Sequence, residues 1–116
     1  MIYLKSNADI AIMRENGKIL IEAFDKLEDL IKPGVSTKDI DKVVEDIILS
    51  YSAVPSFKNY RGFPATACVS VNAEVVHGIP TSSRVLQEGD IVSVDMGAFK
   101  NGFHVDAART YAVGEI

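Results

Sequence analysis

Asn101-Gly102 is the feature that most constrains this chain, because it joins two apolar runs. Asn-Gly between strand-like segments is the strongest short hairpin signal, since both residues accept the positive φ that a two-residue turn requires. Ile91 to Phe99 leads into it as an apolar strand with one charge, Asp95, and Phe103 to Val113 is the returning strand. Glu88-Gly89-Asp90 marks a turn before the hairpin. Ala65 to Val71 alternates small or polar residues with apolar ones and predicts a further strand.

The first half has a different period. Ile10, Met13, Gly17, Leu20, Phe24, Leu27 and Ile31 recur at steps of three and four, which is one stripe of a long amphipathic helix. Ser6 and Asp9 form a capping pattern at its start, and Pro33-Gly34 stops it. Ser36 and Asp39 repeat the cap, and Ile40, Val43, Val44, Ile47, Ile48 and Tyr51 define a second helix. Glu22, Asp25, Glu28, Asp41 and Glu45 mostly miss the stripes and read as a solvated outer face. Residues 52–64 hold Pro55, Gly62 and Pro64 among aromatic residues and read as an ordered loop; Asn72 to Arg84 reads as a second loop. The expected fold is α+β, with two helices packed on an antiparallel sheet that ends in a C-terminal hairpin.

Composition narrows the classes. With 116 residues, 47% hydrophobic and 24% charged, one domain spanning 1–116 is the natural count. No apolar run approaches the ~20 residues of a membrane span. A net charge of -4 is not the footprint of a nucleic-acid binder. Cys68 is the single cysteine, so no disulfide forms within the chain. Met1 to Lys5 lacks the apolar stretch of a secretory signal, and the expected compartment is the cytoplasm.

Asp95 and Asp106 carry the chemistry. Both fall in the middle of predicted strands, where Asp is disfavoured. A hairpin loop of two or four residues sets them directly opposite or diagonal to each other, and either register places both on one face. A three-residue loop with a bulge spoils this geometry. Two carboxylates that close need a shared proton, a basic partner or a metal ion. A hard divalent ion suits two oxygen ligands. The bland alternative has one Asp in solvent and the other paired with Arg109. Gly97, Ala98, Ala107 and Ala108 leave room beside the pair, or serve close helix–sheet packing.

His77 precedes a Gly-x-Pro turn in Val76-His77-Gly78-Ile79-Pro80, where it can face a cleft or be an ordinary loop histidine. His104 shares strand parity with Asp106 but sits near the hairpin tip, where a solvated histidine is the simpler reading. Cys68 has no basic neighbour in sequence and reads as a small buried or pocket-lining residue rather than a nucleophile. Phe57, Tyr60 and Phe63 line an apolar pocket or anchor their loop.

Taken together, these residues resemble the type I methionine aminopeptidases of the pita-bread fold. The carrying segments are Tyr60-Arg61-Gly62-Phe63-Pro64, Cys68-Val69-Ser70-Val71-Asn72, Val76-His77-Gly78-Ile79-Pro80, Glu88 through Asp95, and Gly102-Phe103-His104-Val105-Asp106. The resemblance covers nearly the whole chain and implies specific roles. Asp95 resembles the ligand that chelates one of two divalent ions, drawn from Mn, Fe, Co or Zn, and Asp106 the ligand bridging both. His77 resembles the catalytic histidine that contacts substrate near the scissile bond. Tyr60, Phe63 and Cys68 match positions lining the methionine side-chain pocket. The family often has Tyr at the position of Phe63 and Cys at that of Phe57. The implied reaction is removal of the initiator methionine from nascent polypeptides near the ribosome when the second residue is small, with the ions activating water and stabilising developing charge.

The family pattern runs to about twice this length. On that pattern the chain is the N-terminal half, carries two of five protein ligands, lacks the general-base Glu and a second substrate histidine, and is inactive alone, with weak or absent metal binding. Two other readings share the fold: half of a non-enzymatic pita-bread binding protein, and half of a proline-directed aminopeptidase. A half-domain also leaves an open strand edge and apolar surface, which predicts a homodimer.

Overall fold

Each helix begins where its side chains can satisfy the first free amides. In the computed structural model, which describes residues 6–58, 64–72 and 79–114, α1 spans Asn7–Leu30 and α2 spans Thr37–Ser50. Ser6 Oγ accepts from the Asp9 amide while the Ser6 amide donates to Asp9, and Ser36 and Asp39 repeat the box before α2. Both boxes close with Asp in place of the commoner Glu. Gly34 follows α1 at φ 96°, a conformation open to glycine.

Four strands follow: β1 at Val54–Pro55, β2 at Ala67–Val71, β3 at Ile91–Lys100 and β4 at Phe103–Ala112. All pair antiparallel with β3. Along one edge of β3, β1 meets Ala98 and Phe99 while β2 meets Val92 to Met96, so the two lie end to end. β4 takes the whole opposite edge. Within residues 52–64, read as loop from the sequence, Val54 and Pro55 therefore form a short strand. Proline is tolerated there because such short edge segments need few ladder bonds.

Strand alternation sends one face of the sheet to the helices. Val92, Val94, Met96 and Ala98 of β3, with Ala67, Val69 and Val71 of β2, are buried against Ile19, Leu20, Ala23, Phe24 and Leu27 of α1 and Ile40, Val44 and Ile48 of α2. Burying each large aliphatic side chain contributes about 1.5–3 kcal/mol. The α1 stripe is shifted from the sequence expectation: Ile10 is exposed and Met13 half-buried, while Asn16 is buried. Asn16 Nδ2 donates to the carbonyls of Lys100 and Phe103 at 2.9 and 3.1 Å. Its Oδ1 is buried without a hydrogen-bond partner among the described residues, a cost of about 1–3 kcal/mol.

Part of the acidic surface is not a solvated face. Glu22, Asp25 and Glu28 are exposed as expected, but Asp41 and Glu45 are half-buried. Asp41 Oδ1 accepts from the Thr66 and Ala67 amides at 2.9 and 2.7 Å, and Glu45 accepts from the Thr66 hydroxyl and Lys58. These carboxylates tie α2 to the start of β2. Burial pushes the Asp41 carboxyl up, partly offset by the two amide bonds, and the Lys58 ammonium beside Glu45 holds its carboxyl down.

Candidate metal centre

The turn chemistry sets the geometry of the acidic pair. Lys100 and Phe103 close a two-residue turn, with Asn101 at φ 53° and Gly102 at φ 86°. Positive φ at both central residues is the backbone that matches the twist of a tight hairpin. From that register, Asp95 lies opposite Ala108 and Asp106 opposite Gly97. Asp95 and Asp106 are thus diagonal neighbours on one face, a separation of about 7–8 Å between backbone positions. This is the diagonal alternative allowed by the sequence, and the Asp106 charge is near enough to act on the Asp95 carboxyl.

That face is the one turned away from the helices. It carries Cys68 and Ser70 from β2, Ser93, Asp95 and Gly97 from β3, and Asp106, Ala108 and Thr110 from β4. Ser93 and Thr110 share a hydrogen bond across it at 3.0 Å. Cys68 is half-buried and directly opposite Asp95. The segment after β1 lies against Gly97, where a Cβ would stand 3.0 Å from Ser56 Cβ and 3.2 Å from Phe57 Cε1. The missing side chain at Gly97 therefore admits Ser56 and Phe57 to the face that holds Asp106.

Among the described residues neither carboxylate has a hydrogen-bond or ion-pair partner. Burial pushes the Asp95 carboxyl up, and the Asp106 charge beside it adds to the rise. The Arg109 alternative is corrected by alternation: Arg109 is opposite Val94 on the helix-covered face. Its guanidinium stacks 4.8 Å over the Phe24 ring and reaches Asp25 at 4.0 Å. Two hard oxygen ligands on one face, without a cation to neutralise them, fit a divalent ion. Among the described residues no cluster of three or more His, Cys, Asp or Glu side chains forms, so the face offers a two-ligand platform.

His104 shares this face, as its parity predicts. Its Nδ1 is 2.9 Å from Ser56 Oγ and its ring is 4.3 Å from that of Phe99, and it is exposed, as expected near the hairpin tip. His77, Tyr60 and Phe63 lie outside the described residues. Ser56 was not singled out in the sequence; its contact with Gly97 depends on β1, which two residues are too few to signal.

The shift of Asp95 has a direct test in the metal-free chain. Its folded-state pKa is raised, so its contribution to stability is full below the ordinary Asp value of 3.8 and is lost as pH rises through the folded value. Asp106→Asn is expected to move the Asp95 titration, followed by carboxyl carbon NMR shifts, toward the ordinary value without reaching it, because burial remains. An unchanged Asp95 titration would contradict the proximity of the pair.

Two helices on one face of an antiparallel sheet, with paired carboxylates on the other, define about half of a pita-bread metallohydrolase fold. Comparison with known proteins agrees. The metallopeptidase family M24 profile matches residues 11–116, and the chain belongs to that family. The chain is 56% identical to the methionine aminopeptidase of Clostridium acetobutylicum over 116 residues, covering 100% of this chain and 46% of that one. It superposes on the crystal structure of methionine aminopeptidase from Rickettsia prowazekii with a TM-score of 0.94 at 37% identity, covering 100% of this chain and 46% of that one. An Xaa-Pro dipeptidase from Bacillus anthracis superposes with a TM-score of 0.80 at 29% identity, covering 97% of this chain and 30% of that one. The chain thus spans about half the length of the methionine aminopeptidases it matches. Among the described residues no helix is long and apolar enough to cross a membrane.

Proposed function

We propose that residues 1–116 form the N-terminal half of a methionine aminopeptidase catalytic domain, acting in the cytoplasm on the N-termini of nascent polypeptides. The observation that carries this reading is the placement of Asp95 and Asp106 on one open face of the β3–β4 hairpin, in a chain of the M24 family. Asp95 and Asp106 would hold divalent ions of the Mn, Fe, Co or Zn class, Asp95 as a ligand to one ion and Asp106 as a ligand shared by two. Two ions so held would supply Lewis-acid stabilisation of developing charge and an activated water. The chain's own residues orient that chemistry. The two carboxylates would supply two of the ligands at the face, Cys68 beside Asp95 would border the pocket for the methionine side chain with Tyr60 and Phe63, and His77 would hydrogen-bond the substrate near the scissile bond.

Higher identity to the methionine enzyme than to the proline-directed one supports the methionine reading. Retention of both carboxylates argues against a non-enzymatic binding module. Two ligands do not fix two ions, so activity requires a complementary half. The chain alone is expected to release no methionine from a Met-Ala-Ser peptide with Mn²⁺ or Co²⁺. Adding the part of the Clostridium acetobutylicum protein that the chain does not cover is expected to produce turnover on the order of 1–10³ per second. Full turnover by the chain alone, or none by the combination when both parts are shown to associate, would overturn the reading.

A further inference from the structure

We propose that Asn16 is a positioning residue of the acidic pair: its amide holds the β3–β4 hairpin in the register that makes Asp95 and Asp106 diagonal neighbours. The functional consequence rests on the metal-ligand reading above; the register does not.

The Asn101-Gly102 turn sets the register of the hairpin, but the side chains of β4 add little to hold it. Burial of alternate side chains normally pins a strand, because a one-residue slip turns its apolar set toward water. In β4 that signal is weak: Phe103, Val105 and Tyr111 are half-buried, and the other residues are exposed. The strand is fully paired on one edge and has an uncovered face. A slip of one residue would carry Asp106 to the helix side and separate it from Asp95.

Two contacts from α1 oppose such a slip. Near the far end of β4, the Tyr111 hydroxyl donates to the Phe24 carbonyl at 2.9 Å. At the turn, the Asn16 amide bonds Lys100 O and Phe103 O together. Those carbonyls belong to directly opposed residues. One amide group reaches both only while Lys100 faces Phe103, so the contact reads the register itself. Asn16 is 1% exposed and its Oδ1 lacks a partner among the described residues. An apolar side chain of similar size would avoid that orphan oxygen. What asparagine brings to this position is the pair of donated bonds. Buried polar groups that specify register at some cost in stability are well attested in coiled coils.

The test compares Asn16→Leu with the unaltered 116-residue chain. Register is read from NMR contacts between the Hα atoms of Asp95 and Ala108 and of Gly97 and Asp106. Metal binding is read from Mn²⁺-induced broadening around the pair. Asn16→Leu is expected to stay folded, with an unfolding midpoint within about 5 °C of the original. A second set of hairpin signals should appear, and Mn²⁺ affinity should fall at least about tenfold, the scale of a lost supporting contact. Asn16→Ala removes the amide without adding bulk and should shift both readouts the same way if Leu disturbs packing. A single unchanged register in both variants would overturn the proposal, even if affinity fell. Where Asp106→Asn leaves Mn²⁺ binding of the original chain intact, the metal-ligand reading fails, and the Hα contacts still decide the role of Asn16.

Discussion

Asp106→Asn in the complemented enzyme is expected to lower kcat at least about a thousandfold, a loss of about 4 kcal/mol at about 1.36 kcal/mol per tenfold. Asparagine keeps the shape but removes the charge and one strongly donating oxygen. As the ligand proposed to bridge both ions, Asp106 has no substitute at its place on this face: opposite it stands Gly97, and its diagonal neighbours on β3 are Phe99, which offers no oxygen, and Asp95, the other proposed ligand. The expected loss lies in kcat because the charge it organises develops in the transition state. The substitution should not unfold the chain, since the Asp106 side chain is exposed and unpartnered among the described residues. Asp25→Asn serves as the control. Asp25 is an exposed carboxylate on the helix side, 4.0 Å from Arg109, and such surface pairs contribute little. Steady-state kinetics on both variants decide the matter; equal activities would show that Asp106 holds no ion.

A large stability effect is expected on the other side of the sheet. Asp41→Ala should lower unfolding free energy by about 2–4 kcal/mol, because it strands two amide donors at the start of β2. Thr66 and Ala67 are both fully buried, so water cannot readily replace the carboxylate. Asp41→Asn keeps an oxygen where both amides point and removes a charge that burial disfavours. It should lie within about 1 kcal/mol of the original. Urea unfolding at neutral pH distinguishes the two. The raised carboxyl of Asp41 favours the folded state below 3.8, and this contribution is lost as pH rises through its folded value. The Asn variant should therefore compare best with the original at neutral pH and worst in acid. Equal losses for Ala and Asn would mean that the charge, rather than the two amide bonds, is what Asp41 supplies.

Much of the candidate site was legible because it depends on neighbours in sequence. Asn101-Gly102 specifies its own turn through the positive φ of two adjacent residues, and strand alternation then carries Asp95 and Asp106 to one face. Even the choice between opposed and diagonal pairing follows once the turn is centred on those residues. The helix starts were equally local, since Ser6 with Asp9 and Ser36 with Asp39 close within three positions. Cys68 opposite Asp95 was not legible, because nothing within β2 states its register against β3.

Other features were decided only in three dimensions. Asp41 differs from Asp25 by its partners, the Thr66 and Ala67 amides, which lie 25 and 26 positions away. Arg109 is removed from the acidic pair by alternation and drawn to Phe24 and Asp25 by packing against α1. Asn16, polar and unremarked within a helical stripe, bonds carbonyls 84 and 87 positions further on. By itself the sequence determined the caps, the turn and the face shared by the two carboxylates, since short-range backbone preferences act within a few residues. The tertiary structure alone decided which polar groups are buried and what they hold, because a buried donor or acceptor takes its partner from whichever element folds against it.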